Sequence, residues 1–249
     1  MIKFENTDAV GWEYAIRGMR NPMNSWEKSD SGCLFHMVQN YSNDDPMAEE
    51  YTRYLDEFSL NLKIGPNDHD LMMRLRNAGT DHRKFMRMIT VYVNITAPLY
   101  WWKEFDAYKV GTVANSCSTM HKIAAKEFTL EDFSCEHLND DCKACEVSGG
   151  DHFYPLSSLD VLNVIIETLN YWRRRYLATK NKDDWWQMIQ ILPSSYNQKR
   201  TVMLNYEVLA NIYKSRKNHK LDEWIEFCKW IETLPYNEII TGQIHTDDN

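Results

Sequence analysis

The sequence predicts an α+β fold, and three features carry that expectation. Apolar residues recur at helical spacing in several segments of ten residues or more. One segment, residues 84–96, instead alternates with period two and is rich in β-branched side chains. No strand–helix–strand alternation runs along the chain and glycine is scarce, at nine residues. A parallel doubly wound sheet, a G-x-G-x-x-G turn or a P-loop is therefore not expected. With 249 residues, 43% of them hydrophobic, the chain can bury one large core, and a single domain over 1–249 is expected.

Residues 8–20 read as a helix with Trp12, Ala15, Ile16 and Met19 on one face, broken at Asn21-Pro22. Residues 49–60 read as a second helix. Gly65-Pro66-Asn67-Asp68 is a turn whose Asp68 is placed to cap the next helix. That helix carries Leu71, Met72, Leu75 and Ala78, and Gly79 suits its end. The alternating strand follows and stops at Ala97-Pro98, and 99–108 is aromatic and helical in pattern. Residues 131–152 are polar, acidic and Cys-rich, as expected of a loop or excursion. Helices are expected at 159–176, with Val161, Val164, Ile165, Thr168, Leu169 and Trp172 inward, and at 183–192. Two more are expected at 202–216, with Met203, Tyr206 and Leu209 inward, and at 221–234, with Trp224, Phe227 and Ile231 inward. Residues 241–249 look frayed.

A formal charge of -8 argues against sequence-independent nucleic-acid binding, which needs a basic face to neutralise phosphates. It leaves room for a nucleotide held by one local group of Lys and Arg. No run of about 18 apolar residues predicts a membrane span. The N-terminal residues lack a secretory pattern, so a cytoplasmic protein with reduced or metal-bound cysteines is expected. Cys135-Glu136-His137 and Cys142-x-x-Cys145 suggest structural zinc on Cys135, His137, Cys142 and Cys145, with His152 as the alternative histidine, because thiolates and an imidazole can close one tetrahedral ion. Trp101-Trp102 and Trp185-Trp186 read as core and interface aromatics, and 173–175, three arginines, as a solvated or intersubunit face.

Two blocks resemble the flavin-dependent thymidylate synthases. In the first, a helix leads to His82 in the place of the family's turn histidine, and Ala97-Pro98 match its strand end without a gap. The family signature R-H-R-x-x-S-x-N-E-x-S-x-R then falls on 107–119, where Ala107, Tyr108, Lys109, Thr112, Asn115, Cys117 and Thr119 replace its residues. A shift of one residue would instead put Asn115 on its Asn and Ser118 on its second Ser. In the second block, Leu192-Pro193, Asn205, Leu209, Asn211 and Arg216 fall on the family pattern, while Glu207 and Ile189 stand where it has arginines.

The resemblance implies helices packed on a mostly antiparallel sheet and a homotetramer. It also implies an FAD-dependent enzyme that methylates dUMP or a related pyrimidine nucleotide, with methylenetetrahydrofolate and NADPH as co-substrates. By the same resemblance His82, Lys109, Asn205 and Asn211 would meet the cofactor, and Thr112, Ser118 and Arg216 the substrate. Cys117 would be a nucleophile if a base such as His121 or Lys109 activated it. Flavin carries such chemistry, and the protein binds and orients. A phosphate asks for forked cationic donors, which Ala107, Ile189 and Thr119 cannot supply. Lys103, Lys109, Arg216 and Lys217 are the available substitutes. Two readings follow: a flavoenzyme with a relocated phosphate site, or a binding or structural protein that keeps the fold without the chemistry. A partner-docking role for the acidic excursion at 131–151 is a third.

Overall fold

The computed structural model describes residues 2–33, 62–141, 143–149 and 152–242, and of 33, 62, 144–149 and 152–154 the backbone alone. The helix expected at 49–60 and most of the tail expected to fray lie outside the described residues.

The alternating segment builds the centre of the fold. Four antiparallel strands, β1 (Lys3–Val10), β4 (Thr90–Pro98), β5 (Val113–Ser116) and β8 (Asn197–Asn205), form one sheet in the order β1-β4-β8-β5. β4 pairs with β8 along its whole length, from Thr90 opposite Asn205 to Pro98 opposite Asn197. Its inward residues Val91, Val93, Ile95 and Ala97 are buried beside Val202 and Leu204 of β8. A two-residue pair, β2 (Gly32–Cys33) with β3 (Leu62–Lys63), and a hairpin, β6 (Lys143–Gly149) with β7 (His152–Ser157), stand apart from the sheet.

Helices cover the apolar face. α1 (Trp12–Arg20) adds Ala15, Ile16 and Met19, and α2 (Pro66–Asn77) adds Met72 and Met73. α3 (Leu99–Phe105) adds Trp101, Trp102 and Phe105. Trp101 packs on Trp224 and Phe227 of the late helices, and Trp102 Nε1 donates to the Gln198 carbonyl at 3.0 Å. A short α4 (Thr119–Lys122) precedes the β6–β7 hairpin. α5 (Ser158–Thr179) and α6 (Lys182–Ile191) form a second core with Phe128 and Phe133, where Asn170 accepts from and donates to the Phe128 backbone. α7 (Tyr206–Arg216), α8 (Asp222–Glu232) and α9 (Glu238–Thr241) complete the chain. No helix among the described residues is long and apolar enough to cross a membrane.

Several expectations need correction. Residues 3–10 form a strand, and the first helix starts at Trp12 rather than at Asp8. The alternating run does not begin its strand at Lys84: Arg83–Arg87 is a 3-10 turn, and β4 starts at Thr90. Residues 202–205 belong to β8, since the ladders to β4 and β5 outweigh their helical spacing. Part of the Cys-rich excursion is the β6–β7 hairpin. On α5 the buried line is Leu162, Ile166, Leu169 and Asn170, while Val164 is exposed.

Asp68 does not cap α2. It lies at the third helical position, fully buried, and its carboxylate accepts from Arg20 Nε at 2.6 Å. The hydroxyls of Ser29 and Ser31 donate to it, each at 2.7 Å, as do the backbone N–H groups of Asp30 and Ser31. Arg20 also donates to the carbonyls of Ser25 and Lys28, so this buried pair holds the 25–31 loop against α1 and α2. Burial alone would raise the Asp68 carboxyl. The Ser29 and Ser31 hydroxyls and the Arg20 guanidinium outweigh it and hold the carboxyl below its ordinary value.

Candidate functional site

Two recesses receive the residues that the sequence singles out. The smaller, about 320 Å³, lies where the 79–83 turn meets α7. The turn forms because α2 ends at Asn77 and Gly79 adopts φ +108°, a conformation glycine takes at little cost. It aims Arg83 at α7, where Arg83 Nε lies 3.1 Å from Glu207 Oε2. α7 itself starts cleanly. Asn205 is its N-cap, accepting from the Val208 N–H at 3.0 Å, a cap typically worth about 1 kcal/mol. Further along, Asn211 and Lys214 of the helix and Lys217 at its C-cap line the recess, at a spacing of three.

Arg76 enters from the end of α2. Its Nε and Nη2 donate to the carbonyls of Ile239 and Ile240, each at 3.1 Å, and its Nη1 to Asn77 Oδ1 at 2.9 Å. Gly242, at φ +75°, closes α9 against this guanidinium; a Cβ there would sit 2.3 Å from Arg76 Nη1. The recess thus gathers Arg76, Arg83, Lys214 and Lys217 and, among the described residues, no acidic side chain lines it.

The larger cavity, about 730 Å³, lies at the start of β8. Cys117, Ser118 and Thr119 line it after β5, with Cys135 and Tyr196 opposite. Its charges are both positive and negative: Lys126 pairs with Asp132, and Lys199 with Glu5 at 2.6 Å. Ser118 caps α4, accepting from the His121 N–H at 3.0 Å, and its hydroxyl lies 2.9 Å from His121 Nδ1. His121, a candidate base for Cys117, is therefore engaged with Ser118. Burial, and then Glu136, push the Cys135 thiol up, away from the thiolate that a metal or an electrophile would need.

The antiparallel sheet with its helices on one face can be compared with known folds. No family model matches the sequence, and no curated protein matches it. Solved structures do match. Thymidylate synthase X from Helicobacter pylori, with FAD and dUMP, superposes with a TM-score of 0.58 at 15% identity, over 96% of both chains. The UMP/dUMP methylase PolB from Streptomyces cacaoi, bound with 5-Br UMP, superposes with a TM-score of 0.54 at 12% identity, over 97% of this chain and 95% of that one. The fold is that of the flavin-dependent thymidylate synthases. The expected antiparallel sheet with packed helices is therefore present.

On this thymidylate synthase fold the two matched blocks do meet. The turn after His82 and the helix of Asn205 and Asn211 share the cationic recess, although the exposed His82 itself only donates its backbone N–H to the Gly79 carbonyl, at 3.1 Å. Asn211 lines the recess and Asn205 caps the helix, with Asn205 Nδ2 3.5 Å from the Gly111 carbonyl. Lys109 is exposed, and Thr112 is half-buried with its Oγ1 lacking a hydrogen-bond partner.

Arg216 is not in either recess. Its Nε donates to the Tyr108 hydroxyl at 2.9 Å and its Nη1 to Glu104 Oε2 at 2.8 Å. The guanidinium stacks 4.6 Å from the Trp224 ring centroid, and His219 Nε2 lies 2.9 Å from Nη1. At the position that the resemblance gives to a substrate arginine, the Arg216 side chain bridges α3, α7 and α8.

Of the expected zinc ligands, His137 Nε2 lies 3.0 Å from Asp222 Oδ2. Among the described residues no group of three or more His, Cys, Asp or Glu could hold a metal ion. Cys142 and the side chain of Cys145 lie outside the described residues.

Sequence reasoning missed Arg76, Arg83 and Lys214. The signal was present in part, because Asn211, Lys214 and Lys217 repeat every three residues along one predicted helix.

Proposed function

We propose that this chain is a pyrimidine-nucleotide-binding protein on the flavin-dependent thymidylate synthase fold, and that it does not perform the family's methylation through the signature segment. The observation that carries the binding reading is the closure of the 79–83 turn on α7 around four cationic side chains. Fold likeness supports it by analogy, since the two matching proteins are described with dUMP or 5-Br UMP bound.

FAD is the cofactor the resemblance implies. At the signature, Ala107 and Thr119 offer no charge, Lys109 points to solvent, and the Tyr108 hydroxyl already accepts from Arg216. These positions do not fit a flavin pyrophosphate, which needs several charge-assisted donors. The second of the two readings, a binding protein that has kept the fold, is favoured by the engagement of Arg216 within its own chain.

The full chain should be stabilised by dUMP or UMP in thermal unfolding, by about 2.7 kcal/mol at a ligand concentration of a hundred times Kd. With added FAD, methylenetetrahydrofolate and NADPH, it should show no dUMP-dependent oxidation of NADPH. Absence of stabilisation by either nucleotide at millimolar concentration removes the binding reading. Nucleotide-dependent NADPH oxidation removes the non-catalytic part of it.

A further inference from the structure

The cationic recess stands out in an acidic protein. The whole chain carries a formal charge of -8, yet Arg76, Arg83, Lys214 and Lys217 converge on about 320 Å³ with no Asp or Glu among the described lining residues. The buried Glu207 sits beside Arg83. The Arg83 and Glu207 atoms approach to 3.1 Å, but Arg83 Nε and Glu207 Oε2 each lack a well-directed hydrogen bond. That guanidinium is placed by its charge and is not locked by a fork, so it can turn toward another acceptor. Arg76, by contrast, is fixed by three hydrogen bonds, none of them to a carboxylate. Burial, and then the charge of Arg83, hold Arg76 below its ordinary value, with Glu207 opposing them. Like charges this close are costly unless something neutralises them.

We propose that this recess seats the phosphate of the bound nucleotide, with Arg76, Arg83, Lys214 and Lys217 replacing the arginines that the signature segment lacks and Glu207 weakening the grip. Arg76 is the preorganised donor, Arg83 turns from Glu207 to the phosphate, and the two lysines of α7 close the rim. Asn211, on the same helix face, offers an amide donor to a phosphate or sugar oxygen. The proposal rests on the nucleotide-binding reading for the identity of the ligand, and on the cation cluster alone for the anion.

The test is calorimetric titration of the full chain at constant ionic strength with inorganic phosphate, pyrophosphate, dUMP and FAD, each against chloride. Pyrophosphate should bind at one site. Lys214→Ala with Lys217→Ala, both exposed positions, should weaken it about tenfold. Glu207→Gln should strengthen it severalfold, the opposite sign from any general loss of structure. Loss of dUMP affinity in the lysine pair supports the proposal, and loss of FAD affinity alone overturns it in favour of a dinucleotide pyrophosphate. If dUMP binds the wild type and the lysine variant equally, the phosphate seat is wrong while nucleotide binding stands. If pyrophosphate responds as described and no nucleotide binds, the anion site stands and the nucleotide reading falls. No anion binding to the wild type overturns the proposal.

Discussion

Replacing Asp68 by Ala should cost about 3–5 kcal/mol of stability, because it strands the buried Arg20 guanidinium and four further donors. The drop in Tm for a domain of this size is about 10 °C. The pH dependence has a definite sign. Asp68 titrates lower in the folded chain than in the unfolded one, so its contribution is complete above the ordinary carboxylate value and is lost as pH falls through the lowered native value. Denaturant unfolding of wild type and Asp68→Ala between neutral and acid pH checks both points. The gap between them should shrink at low pH. A gap below 1 kcal/mol at neutral pH would show that the 25–31 loop is held by something else.

The second large effect concerns Arg216. Arg216→Ala should lose about 2–3 kcal/mol, from the hydrogen bonds to Glu104 and Tyr108 and the stacking on Trp224. Arg216→Lys should recover less than half, since an ammonium reproduces neither the fork nor the planar stack. In both variants dUMP affinity should stay within twofold of wild type. The comparison separates a clamp from a substrate contact: a clamp moves Tm and leaves Kd, and a substrate contact does the reverse. A tenfold loss of dUMP affinity with unchanged Tm would return Arg216 to the binding site.

The parts of the fold that carry their own pattern were legible. β4 shows it best, with Val91, Val93, Ile95 and Ala97 alternating against polar neighbours. β1 was not legible: its residues Lys3–Val10 are mostly exposed, and only the ladder to β4 makes them a strand. β8 misled for the opposite reason. Met203 and Tyr206 lie at helical spacing with Leu209 across the strand-to-helix junction, and the ladder to β4, joined at Val202 and Met203 by the one to β5, decides the first four residues. Asp68 looked like a cap because short acidic residues after Gly-Pro favour that role, and nothing local discloses a partner 48 positions away.

At the site, spacing was more informative than residue type. His82 and Asn211 point to the junction between the 79–83 turn and α7, but the arginines gathered there, Arg76 and Arg83, come from separate elements, and sequence separation hides such convergence. Arg216 illustrates the converse. Its position matches a functional pattern, while its side chain is engaged with Glu104, Tyr108, His219 and Trp224.

The most direct measurement is anomalous scattering from bromine in crystals of the full chain grown with 5-bromo-dUMP. A bromine peak beside the recess between the 79–83 turn and α7, with phosphate density on Arg83 and Lys214, is the predicted result. A peak in the cavity lined by Cys117 and Ser118, or no peak at saturating ligand, would contradict the account.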